Sequence, residues 1–210
     1  MMTPRGRVLK ILRGECADVV PWFGDLDYWA TALIGRGLKP PDFKTSPAYI
    51  DWHRDLGVGF YLQGYFPFRT IWPPDARIEE RRDGPDRIRR IETPRGTLAE
   101  RWRWLSDSFS EAPVERLVKS ADDVPAYSWL YRHLAYEPDY GPAARRAEQV
   151  GEIGLNLAYL PKSPLMQMIA LDAGIESVVK ILCEVPARFE EALDAVGESH
   201  HRAAEITVAC

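Results

Sequence analysis

The stretch that most constrains the fold runs from Gly154 to Gly174. Residues 155–160 are apolar except for Asn156 and predict a buried strand, which ends at a turn over residues 161–164. Apolar residues then recur at helical spacing over residues 165–171, and this pattern predicts an amphipathic helix. A strand, a short polar turn and a helix are typical of β/α folds, in which ligands bind at the turns that follow the strands.

Two polar residues of this turn are candidate ligand-binding residues. Lys162 and Ser163 come directly before the predicted helix, whose N-terminus favours anions. The alternative is structural, with Ser163 capping the helix and Lys162 facing solvent.

Helices and strands alternate along much of the remaining chain. Residues 3–14 predict a helix with Thr3 as its cap, and residues 19–23 predict a short buried strand. A helix face over residues 49–56 leads into a second strand at residues 57–65. Because helices separate these strands, we expect a parallel β/α architecture.

Residues 77–104 have a different pattern. Apolar and charged residues alternate there, with turn signals at Asp83-Gly84 and Pro94-Arg95-Gly96, so we expect an antiparallel hairpin or meander inserted in the fold. Six arginines lie between Arg81 and Arg95. They indicate either an anion-binding surface or, because acidic residues are interleaved with them, a solvated face.

The ends of the three predicted core strands supply the remaining candidate site residues. If the strands end at one barrel mouth, their polar and aromatic side chains converge there. An acid among them would serve as general acid or base, and the aromatic residues suit a flat, partly polar ligand. Asp25 and Asp27 are the candidate catalytic residues, and the candidate substrate-binding residues are Tyr28, Gln63, Tyr65, Lys162 and Ser163. The alternative is that these residues only pack at the rim and cap helices.

Composition limits the class of protein. Hydrophobic residues make up 46% and charged residues 28% of the chain, as in soluble globular proteins. The net charge of −4 gives no support for nucleic-acid binding, and no apolar run is long enough for a membrane span. Cys16, Cys183 and Cys210 are scattered, which suits a reducing cytoplasm and argues against a closed zinc site.

Six segments together resemble the uroporphyrinogen decarboxylase superfamily, in particular its decarboxylase-like branch. They are TPRGRVLKILRGE, DVVPW, HRDLGVGF, TPRGTLAERWRW, YEPDY and LPKSPLMQMIALDAG, and the resemblance runs across essentially the whole chain. The resemblance implies an α/β fold that is the N-terminal portion of a (β/α)8 TIM barrel with an antiparallel β-hairpin insertion. It also implies that residues 1–210 form a single partial domain, because a complete barrel typically needs about 250 residues.

The superfamily includes cobalamin-dependent methyltransferases as well as decarboxylases. The resemblance therefore implies a tetrapyrrole ligand, with corrinoid and zinc as cofactors of a complete homologue and none bound by this segment alone. In methyltransferases the zinc is held by a His-x-Cys pair and a later cysteine of the second half of the barrel, and it activates a thiolate. No such ligand set occurs in this chain.

The chain departs from the decarboxylases at three places. Their arginine-bearing M-R-Q-A-G-R-Y signature is replaced by residues 22–29, WFGDLDYW, and their aspartate after the second strand has no counterpart in residues 62–65. The tyrosine expected in the helix after the third strand falls among Met168, Ile169 and Ala170. A polycarboxylate needs cationic partners, so these departures weigh against ordinary uroporphyrinogen decarboxylation.

Three hypotheses follow. The first, which the sequence favours, is corrinoid-dependent methyl transfer. The second is a carboxy-lyase that acts on a porphyrinogen or another carboxylate through different binding groups. The third is a non-catalytic half-barrel that associates with a second chain, either a copy of itself or another protein, through its open sheet edge.

Overall fold

The computed structural model describes residues 2–210, apart from the side chains of residues 62–64. The described residues form a mixed α/β protein, in which helices precede and follow a run of six strands. The α-helices are α1 Pro4–Leu12, α2 Asp27–Gly35, α3 Pro47–Asp55, α4 Val124–His133, α5 Gly141–Val150, α6 Pro164–Gln167, α7 Ile175–Glu184 and α8 Pro186–Val208. The strands are β1 Phe60–Tyr65, β2 Phe68–Ile71, β3 Arg77–Asp83, β4 Asp86–Thr93, β5 Gly96–Leu105, β6 Ser110–Glu115, β7 Ala135–Pro138 and β8 Gly154–Ala158.

Several short helices are not α-helical. One of them, a π-helix over Met168–Asp172, directly follows α6 and interrupts the helix predicted from Leu165 onwards. The others are 3-10 turns at Phe43–Thr45, Ala121–Asp123 and Gly151–Ile153.

The chain forms two compact units. The first unit comprises residues 1–67 and 139–159, and the second unit comprises residues 68–138 and 160–210. The predicted strand–turn–helix segment is therefore divided, because β8 belongs to the first unit and α6 to the second.

The first unit contains short parallel strands with helices between them. Phe23 forms a parallel bridge with Gly59, and β1 pairs in parallel with β8, with Phe60 opposite Gly154. The helices α2 and α3 lie between Phe23 and β1 in the chain, and α5 precedes β8. A core of mostly aromatic and aliphatic side chains is formed by Ala30, Phe43, Tyr49, Ile50, Phe60 and Val150.

The prediction of a buried strand at residues 19–23 is wrong. Only Phe23 forms a bridge, while Val20 is 91% and Trp22 is 66% exposed. An apolar run indicates burial only when another part of the chain covers it, and no described element covers these two side chains to that extent.

The second unit contains an antiparallel sheet in the order β3-β4-β5-β6, and β2 pairs in antiparallel fashion with β7. The antiparallel pairing predicted for residues 77–104 is confirmed, and it extends to Glu115. The helices α4 and α8 provide much of the adjoining core, including Tyr127, Leu130, Phe189 and Val196.

Most arginines of this sheet form ion pairs with acidic residues of the sheet. Arg89 lies 2.7 Å from Glu100, Arg87 lies 2.9 Å from Glu111, and Arg90 lies 3.1 Å from Glu92. These pairs favour the solvated, charge-balanced face over a broad anion-binding surface on the sheet.

The structure is thus a mixed α/β protein, and its described strands do not close into a barrel. Within the described residues, no helix is both long and apolar enough to cross a membrane.

Asp123 stabilises the 3-10 turn Ala121–Asp123 that leads into α4, and its removal should be measurable. Its Oδ2 accepts hydrogen bonds from the backbone N–H groups of Lys119 (2.8 Å) and Ser120 (3.1 Å). We expect Asp123→Ala to lower the free energy of unfolding by about 1–2 kcal/mol, because two backbone donors lose their acceptor. Urea unfolding measures the change. Asp123→Asn keeps an acceptor oxygen and should recover part of the loss, and equal stability of Asp123→Ala and the native protein would contradict this role.

Candidate functional site

The two predicted catalytic acids lie together in the first unit. The Asp25 carboxylate is exposed and accepts a hydrogen bond from the backbone N–H of Asp27 (3.0 Å). The Asp27 carboxylate forms an ion pair with Lys44, whose Nζ lies 2.8 Å away. Both acids thus make contacts that stabilise the start of α2.

Asp25 and Asp27 also line a pocket with Lys44, Tyr49 and Arg146. Its volume is about 70 Å³, which is far below that of sites for small molecules and cannot hold a tetrapyrrole. Burial, together with the negative charges of Asp27 and Asp25, raises the pKa of Tyr49 to about 12. The pocket therefore fits a structural network better than a substrate site.

Tyr28 and Tyr65, two predicted substrate-binding residues of the first unit, do not line this pocket. Tyr28 is 73% exposed, and the Tyr65 hydroxyl donates a hydrogen bond to the backbone carbonyl of Asp139 (3.1 Å). The side chain of Gln63 lies outside the described residues.

Lys162 and Ser163 belong to the second unit, so neither compact unit contains the whole predicted set. Both are exposed, and the Lys162 carbonyl lies 2.7 Å from Nδ1 of His200. The Ser163 side chain makes no capping hydrogen bond, and α6 has four residues before the π-helix begins. The anion site at this helix start stays a prediction.

A more developed site lies in the second unit, around Asp172 at the end of the π-helix. The Asp172 carboxylate is buried, and its Oδ2 accepts hydrogen bonds from the hydroxyls of Tyr127 (2.7 Å) and Tyr131 (2.9 Å) and from Nε2 of Gln167 (3.0 Å). All three bonds fall on Oδ2, so a proton held by Asp172 would lie on Oδ1. Short π-helical segments are often found at functional sites.

The backbone around Asp172 is held by the adjacent chain. The Arg116 guanidinium donates hydrogen bonds to the carbonyls of Ala170 (2.6 Å) and Leu171 (2.8 Å), and the Val118 N–H donates to the Asp172 carbonyl (2.8 Å). These bonds satisfy carbonyl groups that the π-helix leaves without α-helical partners. The position of Asp172 is thereby fixed by the strand-to-helix connection as well as by its own hydrogen bonds.

Burial raises the pKa of Asp172 above its ordinary value, although the hydrogen bonds from Tyr127, Gln167 and Tyr131 act in the opposite direction. Burial also raises the pKa values of Tyr127 and Tyr131 well above their ordinary value, so both remain hydrogen-bond donors at neutral pH. A carboxyl group whose pKa is shifted towards neutrality is suited to general acid or base catalysis.

Asp172 lines a pocket of about 300 Å³, which we call the Asp172 pocket. Its walls combine apolar, aromatic, cationic and acidic side chains, including Trp72, Arg87, Arg89, Glu100, Trp102, Tyr131 and Leu171. The Arg87 guanidinium lies 5.8 Å from the Trp102 ring, and that of Arg89 lies 5.8 Å from the Trp72 ring. The ion pairs of these arginines with Glu111 and Glu100 use only some of the five N–H donors of each guanidinium.

Sequence reasoning missed this site. The apolar spacing of residues 165–171 predicted an amphipathic helix with an apolar face in the core. In the structure, Met168 is the buried residue of that predicted face, while Leu165, Met166 and Leu171 are exposed. One signal was present, namely an aspartate directly after an apolar run and a pair of tyrosines, Tyr127 and Tyr131, spaced by one helical turn.

No group of three or more histidine, cysteine or acidic residues that could hold a metal ion occurs among the described side chains. Of the adjacent histidines on α8, His200 contacts the Lys162 carbonyl and His201 lies 3.5 Å from Glu205. The two rings therefore make separate contacts, as expected for neighbouring residues of a helix.

Comparison with known proteins gave no match to a family model, to a curated protein or to a solved structure.

Proposed function

We propose that this chain handles a carboxylate-bearing tetrapyrrole, as its resemblance to the uroporphyrinogen decarboxylase superfamily implies, and that the Asp172 pocket is its acid–base site. The observation that carries the proposal is the buried Asp172 carboxyl group, fixed by two tyrosine hydroxyls at the wall of a pocket that also contains two arginines. This is the second of the hypotheses from the sequence, a carboxy-lyase with different binding groups.

The chemistry of decarboxylation suits such a residue. When a carboxylate is replaced by hydrogen, the carbon–carbon bond to the carboxylate breaks, CO2 leaves and one proton is added to the remaining carbon. A protonated Asp172 would donate that proton from Oδ1 and regain one from water. Arg87 and Arg89 would hold the substrate's other carboxylates, because guanidinium groups bind carboxylates strongly.

The dimensions of the pocket indicate which part of the ligand would enter it. A volume of about 300 Å³ is at the lower end for small-molecule sites, so it suits one pyrrole ring with its side chains rather than the whole macrocycle. Trp72 and Trp102 provide flat apolar surface for such a ring. The rest of the ligand would extend out of the opening.

Corrinoid-dependent methyl transfer, which the sequence favours, stays a prediction. That reaction uses a thiolate nucleophile and has no evident need for a buried acid such as Asp172. Both reactions share a tetrapyrrole ligand, so one titration compares them.

The proposal also includes the fold, the cellular compartment and the association that the sequence predicts. The parallel order of Phe23, β1 and β8, with helices between them, supports a portion of a β/α barrel in the first unit. The free cysteines Cys16, Cys183 and Cys210 support a reducing compartment such as the cytoplasm. Exposed Val20 and Trp22 support association with a second chain, which is either another copy or a different protein.

The proposal predicts saturable binding of a porphyrin octacarboxylate, a stable analogue of a porphyrinogen, by a species of defined mass. Cobalamin is titrated in parallel, with absorbance as the readout and light scattering for mass. Leu171→Trp should weaken porphyrin binding by at least about 10-fold, because the larger side chain fills the Asp172 pocket. Leu182→Trp on α7 is the matched control, since Leu182 (43%) and Leu171 (38%) are similarly exposed and Leu182 does not line the pocket.

Each outcome bears on the proposal. Porphyrin binding that Leu171→Trp weakens and Leu182→Trp leaves unchanged would support it. Saturable binding of cobalamin alone would replace it with methyl transfer. Binding of neither ligand by a protein of defined mass would overturn the tetrapyrrole assignment.

A further inference from the structure

A second cavity of the second unit lies on another face of α4. It has a volume of about 520 Å³ and shares no lining residue with the Asp172 pocket. We call it the arginine groove, because Arg95, Arg132 and Arg188 line it together with Trp129, His133 and Glu191.

The three arginines come from separate parts of the chain. Arg95 lies in the turn between β4 and β5, Arg132 lies in the last turn of α4, and Arg188 lies in the first turn of α8. These three arginines thus line one cavity although they come from three segments. They differ from the arginines on the sheet, most of which pair with acids of the same sheet.

No ion pair within 4 Å involves these three arginines in the described part of the chain, and Glu191 is the single acid in the groove lining. The position of Arg188 adds to the excess of positive charge. A cation in the first turn of a helix meets the positive end of the macrodipole, and the first turn of α8 contains no acid that would compensate for it.

One wall of the groove is aromatic. The rings of Trp129 and His133 are stacked with centroids 4.4 Å apart, and Nδ1 of His133 lies 2.7 Å from the Trp129 carbonyl. This pair places a flat aromatic surface in the same cavity lining as the three guanidinium groups.

We propose that the arginine groove binds a small polyanion that has two or more carboxylate or phosphate groups. Guanidinium groups match both oxyanions through paired N–H donors, and three of them favour a ligand with several anionic groups over a single ion. The volume of the groove falls within the range of small-molecule sites. The inference is independent of the Asp172 pocket and of the tetrapyrrole proposal.

Calorimetric titration with pyrophosphate and with benzene-1,3,5-tricarboxylate tests the inference and distinguishes the two oxyanions. We expect saturable binding of at least one probe, weakened by added salt because the contacts are ionic. The double variant Arg132→Gln/Arg188→Gln should weaken binding by at least about 10-fold, since each substitution removes charge-assisted hydrogen bonds to the probe.

The matched control is Arg77→Gln/Arg81→Gln, which removes the same charge from exposed positions of β3. It should change the affinity by less than about 2-fold if the groove rather than net charge binds the probe. Leu171→Trp should also leave probe binding unchanged, which separates this site from the Asp172 pocket. The inference is overturned if neither probe binds saturably, or if both double variants weaken binding equally.

Discussion

Replacing Asp172 with asparagine is expected to lower turnover of a porphyrinogen polycarboxylate by about 100- to 10,000-fold, the usual contribution of a general acid. Asparagine has nearly the same shape and its carbonyl can accept the hydroxyl hydrogen bonds of Tyr127 and Tyr131, but it cannot donate a carboxyl proton. Binding of the porphyrin octacarboxylate should change little. Release of CO2 in a single turnover measures the chemical step without the contribution of product release.

Asp194→Asn is the matched control, because it makes the same chemical change at an exposed position of α8. It should turn over at the native rate. Tyr127→Phe and Tyr131→Phe should each lower the rate by a smaller factor, since each removes one of the three hydrogen bonds that position Asp172. Turnover of Asp172→Asn at the native rate would show that Asp172 is not the acid.

Because the pKa of Asp172 is raised, Asp172→Asn should also change how the free energy of unfolding depends on pH. The folded protein binds the Asp172 proton more tightly than the unfolded chain does, because burial disfavours the carboxylate. The resulting stabilisation is fully present below the ordinary pKa of 3.8 and is lost as the pH rises through the raised pKa of the folded state. Asp172→Asn has no such proton to lose. As the pH rises from 3.8 through the raised pKa, the native protein should therefore lose stability relative to Asp172→Asn.

Chemical unfolding of both proteins at a series of pH values measures the difference. Other ionisable groups of the pocket, such as Glu100, Arg87 and Arg89, are present in both proteins, so the comparison largely cancels their titration. A difference that does not vary with pH would mean that Asp172 has the same pKa in the folded protein as in the unfolded chain, so that it is charged near neutral pH. It would then be unable to act as the acid near neutrality.

Local signals in the sequence predicted much of the secondary structure. Thr3 caps α1 as expected, with its hydroxyl accepting a hydrogen bond from the N–H of Gly6 (3.1 Å). The alternation of residues 77–104 also corresponds to paired antiparallel strands. Caps, prolines and period-two patterns act between residues that are close in the chain or in a hairpin, so they can be read from the sequence.

The Asp172 site could not be predicted in this way, because its groups come from distant segments. Tyr127 and Tyr131 lie more than 40 residues before Asp172, and Arg87 and Arg89 belong to the antiparallel sheet. The π-helix that places Asp172 also breaks the 3.6-residue period on which helix prediction depends. The prediction of a site at the strand ends assumed that the strands end at one barrel mouth. In the structure, Asp25 and Asp27 line a small pocket with Lys44 and Arg146.

Gly154→Ala is expected to lower the free energy of unfolding by about 3 kcal/mol, because it forces a side chain into a closely packed backbone contact. A Cβ at position 154 would overlap the backbone carbonyl of Phe60, the residue opposite it in the β1–β8 pair. The backbone at Gly154 is extended (φ −178°), so the cost is steric and does not come from an unfavourable φ. Backbone atoms cannot move aside as the end of a flexible side chain can, and the two strands would have to separate.

Urea unfolding, with the midpoint and slope fitted separately, measures this loss, and Gly197→Ala is the control for the change of residue type. Gly197 lies within α8, where a Cβ would contact only Pro164 Cγ at 3.4 Å, so alanine should be neutral or stabilising by up to about 1 kcal/mol. If Gly154→Ala were as stable as the native protein, β1 and β8 could not pair in the register of Phe60 opposite Gly154. The parallel order of Phe23, β1 and β8 depends on that pairing, and so does the proposal that the first unit is part of a β/α barrel.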